Sequence, residues 1–279
     1  MALNGIDISG YQGDLDLGRV SYDFVMIKAT EGVSYINPAC DRHYQQAKAQ
    51  GKKLAVYHYA NGNDATAEAN FFVDTCEGYI REAIFVLDWE GEGVEFTAWA
   101  LTFLQRVEAR IGYKPAIYMS EYVVNSYDWS AVVANGNGLI AAKYSDYEID
   151  NDYDMDGAGT MPDVKWWNFY FMWQWTSKGH LNGYAGDLDC DIAYITPEGW
   201  DRYAGVPVAS PLPEPTTTTT TAEIPIPVHT ATTTTTQPAP PDEPTTTTTT
   251  VVTEQPVSIW VAIWAAFIAL MDLLKGKKK

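Results

Sequence analysis

The chain of 279 residues contains little cysteine and little positive charge. Its three cysteines, Cys40, Cys76 and Cys190, are too few and too scattered for a disulfide scaffold or a zinc site. We expect each of them to be buried and to pack as a small hydrophobic residue. Only 18 lysines and arginines oppose 36 aspartates and glutamates, which gives a formal net charge of −18. Such a surface repels polyphosphates, and this argues against nucleic acid as a partner.

The N-terminus lacks the pattern of a signal peptide, and residues 206–256 lack enough apolar residues to form a core. The start, MALNGIDISG, has neither the charged nor the apolar part of a cleavable signal peptide, so none is predicted and the export route stays open. Residues 206–256 consist largely of threonine tracts and proline-rich spacers. This composition cannot bury a core and predicts a disordered linker. Residues 1–205 are therefore expected to form one domain.

The linker is followed by a long apolar segment. Residues 257–274, VSIWVAIWAAFIALMDLL, precede a basic tail at 275–279. Roughly 18 residues at about 1.5 Å rise each just suffice to span a bilayer. We expect a membrane-associated helix, which either spans the bilayer or lies in its interface.

Within residues 1–205, short apolar runs alternate with helix-like stretches, as in a parallel sheet with crossover helices. Strands are predicted at Gly5–Ser9, Phe24–Ala29, Leu54–Tyr59, Ile84–Asp88, Ala116–Met119, Leu139–Ala142, Phe171–Gln174 and Asp189–Ala193. Helices are predicted at Pro38–Gln50, Ala65–Cys76 and Glu95–Ile111. This order predicts an α/β fold, an irregular (β/α) TIM-like barrel with its site at the carboxyl ends of the strands.

Two carboxyls follow the apolar run Ile84–Leu87. Asp88 and Glu90 are two residues apart, so on a strand both side chains would point into the barrel mouth. Two close carboxyls cannot both ionise cheaply, and one tends to keep its proton. Glycoside hydrolysis needs such a pair, an acid for the leaving oxygen and an anion for the oxocarbenium charge. A metal pair or a strand-end cap would use the same residues.

Two further aspartates lie at predicted strand termini. Asp7 follows the first apolar strand and Asp189 opens the last one. The first and last strands of a closed barrel are neighbours. We therefore expect these two acids to converge with Asp88 and Glu90, which favours a catalytic interpretation.

An ordered series of motifs over nearly all of residues 3–204 resembles the family 25 glycoside hydrolases, the cellosyl-type muramidases. The series comprises IDIS at 6–9 with Gln12, VMIKATEG at 25–32, VYHYA at 56–60, LDWE at 87–90, Ile117-Tyr118, WQW at 173–175 and a Gly-x-x-Gly-x-x-Asp ending at Asp189. The overall organisation is similar to that of a phage or prophage endolysin. The order of the motifs is far more specific than any one of them.

The resemblance implies an irregular (β/α) barrel that cleaves the β-1,4 bond between N-acetylmuramic acid and N-acetylglucosamine of bacterial peptidoglycan. Glu90 would be the general acid, and Asp88 would either attack directly or steady the acetamido group of the substrate. Asp7 and Asp189 would shape the charge of the pocket. Substrate binding is assigned to Tyr57, Tyr59, Tyr118, Trp173, Gln174 and Trp175. The expected enzyme is a monomer at the cell wall or membrane, and no cofactor or metal is predicted.

Other interpretations fit the sequence less well. A non-catalytic wall-binding or membrane-anchored module is disfavoured because all four acids are present. A chitinase-type barrel is disfavoured because the fourth strand lacks an Asp-x-x-Asp-x-Asp-x-Glu run. The acidic residues Asp152, Asp154, Asp156 and Asp163 partly fit a calcium-loop template, but Asp163 replaces its usual glutamate, and a solvated acidic loop is favoured.

Overall fold

The structure is a computed structural model that describes residues 2–90, 97–145, 148–155 and 157–207. Except for residues 206 and 207, the predicted linker lies outside this range, as do the apolar segment 257–274 and the basic tail 275–279. Among the described residues, no helix combines the length and the apolar character that crossing a membrane requires.

Ten strands form one sheet, and eight of them close into a barrel. They are β1 (Leu3–Ile8), β2 (Phe24–Glu31), β3 (Tyr35–Ile36), β4 (Lys53–Tyr59), β5 (Ala83–Asp88), β6 (Ala116–Ser120), β7 (Leu139–Ala142), β8 (Asp150–Asn151), β9 (Met172–His180) and β10 (Leu188–Ala193). Around the barrel the order is β1, β10, β9, β7, β6, β5, β4 and β2, and β2 pairs again with β1. Outside this ring, β3 pairs with β2 and β8 pairs with β9. The predicted α/β barrel is confirmed.

Helices surround the barrel. They are α1 (Cys40–Ala49), α2 (Ala65–Thr75), α3 (Thr97–Ile111), α4 (Glu121–Ser126), α5 (Ser130–Ala134) and α6 (Pro197–Tyr203). The first three confirm the predicted helices, although Glu95 and Phe96 lie outside the described residues. Short side chains cap the amino ends of α2 and α6: Asp64 accepts from Ala67 N, and Thr196 accepts from Gly199 N.

The last strand runs in the opposite direction from the other barrel strands, which corrects the prediction of a parallel sheet. β10 pairs antiparallel with both β1 and β9, whereas the remaining neighbours in the ring are parallel. The connection from His180 to Leu188 is too short for a crossover helix, so β9 and β10 form a hairpin. The amino end of β10 therefore lies at the same rim as the carboxyl ends of the parallel strands.

Strand periodicity divides the core into two layers. On β5, Ile84 and Val86 belong to the apolar cluster inside the barrel, whereas Phe85 and Leu87 belong to the cluster between strands and helices. Both layers exclude water, which explains why β5 is an unbroken apolar run. Because the side chains alternate, the next inward position is Asp88.

Candidate active site

A pocket opens at the rim where the carboxyl ends of the parallel strands meet the amino end of β10. Its cavity volume is about 120 Å³. Its lining residues are Asp7, Met26, Tyr57, Val86, Asp88, Glu90, Tyr118, Tyr144, Gln174 and Asp189. All four acids predicted from the sequence thus meet in one pocket.

Asp88 and Glu90 occupy different depths of this pocket. Asp88 is the last residue of β5 and is only 7% exposed. One of its carboxyl oxygens, Oδ1, is buried without a hydrogen-bond partner in the part of the chain that the structure describes. Glu90 stands two residues further along, at the mouth, where its side chain is solvent-exposed. The deep carboxyl and the outer carboxyl therefore meet a bound ligand from different sides.

Asp7 and Asp189 face each other across β1 and β10 as directly paired residues. Asp7 is the inward residue next to the end of β1, between the outward-facing Ile6 and Ile8. It is 6% exposed, and Asp189 is half-buried. The antiparallel direction of β10 brings Asp189 to this rim. If β10 were parallel to the other strands, Asp189, its second residue, would lie at the opposite end of the barrel from the pocket.

Burial and mutual repulsion favour protonation throughout the cluster. The pKa of Asp88 lies well above its ordinary value because the group is buried and because Glu90 is close. The pKa of Glu90 is also raised. Its side chain reaches solvent, but the protein around it displaces much of the water that would hydrate the carboxylate. Burial and the charge of Glu90 raise the pKa of Asp189 to about 7. The pocket therefore contains both proton donors and anions near neutral pH.

Lys28 is the cation that opposes this trend. Its positive charge lowers the pKa of both Asp88 and Glu90. The Lys28 ammonium lies 2.6 Å from a Glu31 carboxylate oxygen and 4.6 Å from the ring centre of Tyr59. These contacts hold the charge beside the pocket. Tyr59 thus contacts Lys28 at the rim and is not one of the lining residues.

A hydrogen-bonded chain orients the opposite wall of the pocket. Tyr118 Oη donates to Gln174 Oε1 at 2.6 Å, and the hydroxyl of Tyr144 donates to the same oxygen. With its oxygen so occupied, Gln174 turns its amide nitrogen toward Asp7 and donates to Oδ2 at 2.5 Å. Two tyrosines therefore set the amide orientation that supplies Asp7 with a donor.

Trp173 and Trp175 are not brought to the pocket. Both are at most 2% exposed and belong to the apolar layer between the strands and the helices. Trp173 Nε1 donates to the backbone oxygen of Lys143 at 2.9 Å. Gln174 lies between them on β9 and faces inward, so the tryptophans must face outward.

The sequence interpretation overlooked three pocket residues, Met26, Val86 and Tyr144, and one buried acid below the pocket, Asp191. Met26 and Val86 supply apolar wall on inward strand positions. Tyr144, two residues after β7, could have been found from its place at a strand end. Asp191 lies inside the barrel below Asp189, and its place in the middle of a strand resembles no catalytic pattern.

His58 lies on the outward face of β4 and takes no part in the pocket. Its ring nitrogens are 2.8 Å from Thr30 Oγ1 and 2.8 Å from Glu68 Oε2. Burial lowers the pKa of His58, so it is neutral and donates through Nε2 to Glu68. Glu68 also accepts from the backbone nitrogens of Asn61 and Asn63. This buried network joins α2 to the loop after β4.

The acidic loop shows no metal centre in the ranges described. Within those residues, no three histidine, cysteine, aspartate or glutamate side chains are grouped so that they could hold a metal ion. Asp156 of the calcium-like pattern lies outside the described residues. The three cysteines are buried and unpaired.

Comparison with known proteins places this geometry in a family. The family described as glycosyl hydrolases family 25 matches residues 6–184. The N,O-diacetylmuramidase of a Chalaropsis species is 28% identical over 212 residues, which cover 67% of this chain and 96% of that protein. The autolytic lysozyme of Clostridium acetobutylicum is 26% identical over 207 residues, covering 68% and 55%. The crystal structure of a lysozyme from Streptomyces coelicolor shares the fold, with a TM-score of 0.59 at 21% identity over 74% of this chain and 98% of that one.

Proposed function

This chain belongs to glycosyl hydrolase family 25, and on that premise we propose that it is a muramidase acting on bacterial peptidoglycan. The bond cleaved is the β-1,4 linkage between N-acetylmuramic acid and N-acetylglucosamine. The observation that carries the proposal is the convergence of Asp7, Asp88, Glu90 and Asp189 in one pocket. Relatives named as muramidase and lysozyme support the choice of substrate.

Glu90 is the general acid. Its raised pKa keeps a proton available, and its position at the mouth is suited to reach the oxygen between two sugar units. Proton donation to that leaving oxygen lets the glycosidic bond break while positive charge develops on the sugar ring. Lys28 limits how far the pKa of Glu90 rises and so keeps the acid strong enough to donate.

Asp88 acts as the anion below the reacting carbon. Burial works against this charge, and Lys28, whose positive charge lowers the pKa of Asp88, favours it. The carboxylate either attacks that carbon or orients the 2-acetamido group of the substrate for internal attack. The unpartnered Oδ1 is free of protein donors among the described residues, so it is available to either route. N-deacetylated glycan distinguishes the two routes: it is cleaved if Asp88 attacks directly and resists cleavage if the acetamido group is the nucleophile.

The remaining lining residues position the sugar. Tyr57 and Tyr118 present their rings to the pocket and keep their hydroxyl protons, because burial raises the pKa of both far above its ordinary value. Apolar ring faces suit the C–H surfaces of sugars. Asp7 and Asp189 hold substrate hydroxyls or the acetamido N–H, and Gln174 fixes Asp7. One chain supplies this whole lining, consistent with a monomeric enzyme.

Release of reducing sugar ends from purified peptidoglycan tests the proposal. The full-length protein should release them steadily, and the Glu90→Gln variant should not, although it still cosediments with the peptidoglycan. Cosedimentation without release by the unmutated protein would mean a wall-binding module and would overturn the assignment as an enzyme.

Membrane association of residues 257–274 is part of the proposal on sequence grounds alone. The apolar length and the lysine-rich end favour binding to a bilayer with anionic lipids. Sedimentation with vesicles containing anionic phospholipid should retain the full chain and lose a variant without residues 257–279. Equal retention of both proteins would contradict the anchor.

A further inference from the structure

Asp191 is a fully buried carboxyl inside the barrel, one inward position below Asp189. Its exposure is 0%, and no hydrogen-bond donor among the described residues reaches either carboxyl oxygen. It pairs with Gly5 on β1 and with Gln174 on β9. The ring of Phe24 packs directly against the backbone of Gly5. A Cβ atom at position 5 would lie only 2.4 Å from that ring.

An ionised carboxylate cannot remain in such a place without a donor. Removing it from water costs several kcal/mol unless a partner compensates, and the usual result is protonation. The titratable groups around Asp191 are Asp7 on β1, Asp189 and Cys190 on its own strand, and Tyr153 after β8. On β9 its paired neighbour is the neutral Gln174, and Lys178 lies further along that strand, beside Asp187.

Asp7 and Asp191 are diagonal neighbours on β1 and β10, because Asp7 pairs with Asp189 and Gly5 pairs with Asp191. A hydrogen bond between two carboxyl groups requires a proton between them. Burial raises the pKa of both groups, so the pair keeps at least one proton. Asp7 already accepts a hydrogen bond from Gln174, which stabilises its anion, whereas Asp191 has no such donor in the described ranges. The proton therefore belongs on Asp191.

We propose that Asp191 is a positioning residue that keeps its proton at the working pH and donates it in a hydrogen bond to Asp7. The inference rests on the proposed function, because it concerns the same pocket. Asp7 then receives one donor from Gln174 and one from Asp191, and it stays an oriented anion below the sugar. The two aspartates together carry one negative charge instead of two, which limits repulsion of the anion needed at Asp88.

Two substitutions at position 191 separate this role from simple filling of the core. Asp191→Asn keeps the shape and a donor, whereas Asp191→Leu keeps a similar volume without any donor. The Asn variant should retain kcat and the wild-type pH profile within about threefold. The Leu variant should lose about 10- to 100-fold in kcat, as expected when one hydrogen bond to a charged group disappears. Its acidic limb should also move to higher pH, because Asp7 becomes harder to ionise.

Asp74→Asn is the control, since Asp74 is an exposed aspartate on α2 that pairs with Arg110. Its pH profile should equal that of the wild type. Loss of activity in Asp191→Asn equal to that in Asp191→Leu would overturn the proposal, as it would mean that the carboxylate itself is needed. Equal activity of the folded Leu variant and the wild type would also overturn it.

Infrared spectroscopy reads the proton directly and does not depend on activity. The difference spectrum of wild type minus Asp191→Asn at neutral pH should contain the C=O band of one protonated carboxylic acid. A difference spectrum that contains carboxylate bands alone would contradict the proposal. An inactive wild-type protein would instead refute the muramidase assignment, and the infrared result would still stand.

Discussion

Gln174 Nε2 lies 2.5 Å from Asp7 Oδ2, although 167 positions of sequence separate the two residues. The contact joins the first strand of the barrel to the strand that forms the final hairpin. It also shows how one wall of the pocket is organised: two tyrosine hydroxyls hold the amide of Gln174, and that amide holds the carboxyl of Asp7.

This contact predicts the effect of Gln174→Glu. The substitution removes the donor and places a second carboxyl against Asp7, so the pKa of Asp7 should rise further. We expect kcat/KM at neutral pH to fall by about 10- to 100-fold, because a charge-assisted hydrogen bond is lost and repulsion is added. The pH dependence of kcat/KM measures it. Tyr118→Phe is the milder companion, since Tyr144 still donates to Gln174. Wild-type activity in Gln174→Glu would contradict this account.

Replacing the general acid should have the largest effect on turnover. Glu90→Gln removes the dissociable proton at nearly constant shape, and a general acid contributes about 10²- to 10⁴-fold. We expect kcat to fall by about that factor and the melting temperature to stay within the experimental spread. Glu77→Gln is the control, because Glu77 is exposed at the opposite end of the strands, just before β5. If Glu77→Gln lost as much activity as Glu90→Gln, the assignment would be wrong.

Removing the cation beside the pocket should shift the pH profile. Lys28 lowers the pKa of Asp88 and Glu90, so in Lys28→Gln both pKa values rise. The acidic limb of kcat/KM reports ionisation of Asp88 and should therefore move to higher pH. Lys48→Gln removes an exposed lysine paired with Glu82, far from the carboxyl cluster, and should leave the profile unchanged. An unmoved limb in Lys28→Gln would show that Lys28 does not act on Asp88.

Asp189 and Asp187 should affect stability with opposite dependence on pH. The pKa of Asp189 is about 7 in the folded chain against an ordinary value of 3.8, so its contribution to stability is lost as pH rises from about 4 to 7. Asp189→Asn should therefore melt at a higher temperature than the wild type at pH 8, with a smaller difference at pH 4.

Hydrogen bonds from Lys178 and His180 lower the pKa of Asp187, so its contribution is present above the unfolded pKa and is lost as pH falls through the folded one. Asp187→Asn should melt slightly below the wild type at pH 8. Melting curves of both variants across this pH range check the pair. The same sign for both substitutions would contradict it.

The outward network around Glu68 should affect stability. Glu68→Ala leaves the buried ring of His58 and the backbone nitrogens of Asn61 and Asn63 without their acceptor. We expect the free energy of unfolding to fall by about 1–3 kcal/mol, as for a buried donor left unsatisfied. Chemical denaturation measures the change. Glu77→Ala, an exposed counterpart, should stay within about 0.5 kcal/mol. An unchanged midpoint for Glu68→Ala would show that the network is not stabilising.

Strand periodicity explains what could be predicted from the sequence. Ile84, Val86 and Asp88 share one face, so the inward direction of Asp88 follows from the alternation alone. The same rule could have separated Gln174 from Trp173, because neighbours on a strand cannot both face inward. The assignment of Trp173 and Trp175 to substrate binding followed from the resemblance of the WQW motif and did not use this alternation.

Other features depended on contacts between distant parts of the chain. The antiparallel direction of β10 follows from a short connection, yet the alternation of strands and helices before it favoured another parallel strand. The lack of a donor to Asp191 depends on which side chains β10 and its two neighbours, β1 and β9, place around it. Sequence spacing cannot report such an absence of donors. The linker and the apolar segment 257–274 stay predictions, since they lie outside the described residues.

Mass spectrometry of the products from purified peptidoglycan tests the central claim most directly. The full-length protein is compared with Glu90→Gln on the same substrate. Fragments that end in reducing N-acetylmuramic acid, made only by the unmutated protein, are the predicted result. Fragments that end in reducing N-acetylglucosamine, or no fragments at all, would contradict the assignment as a muramidase.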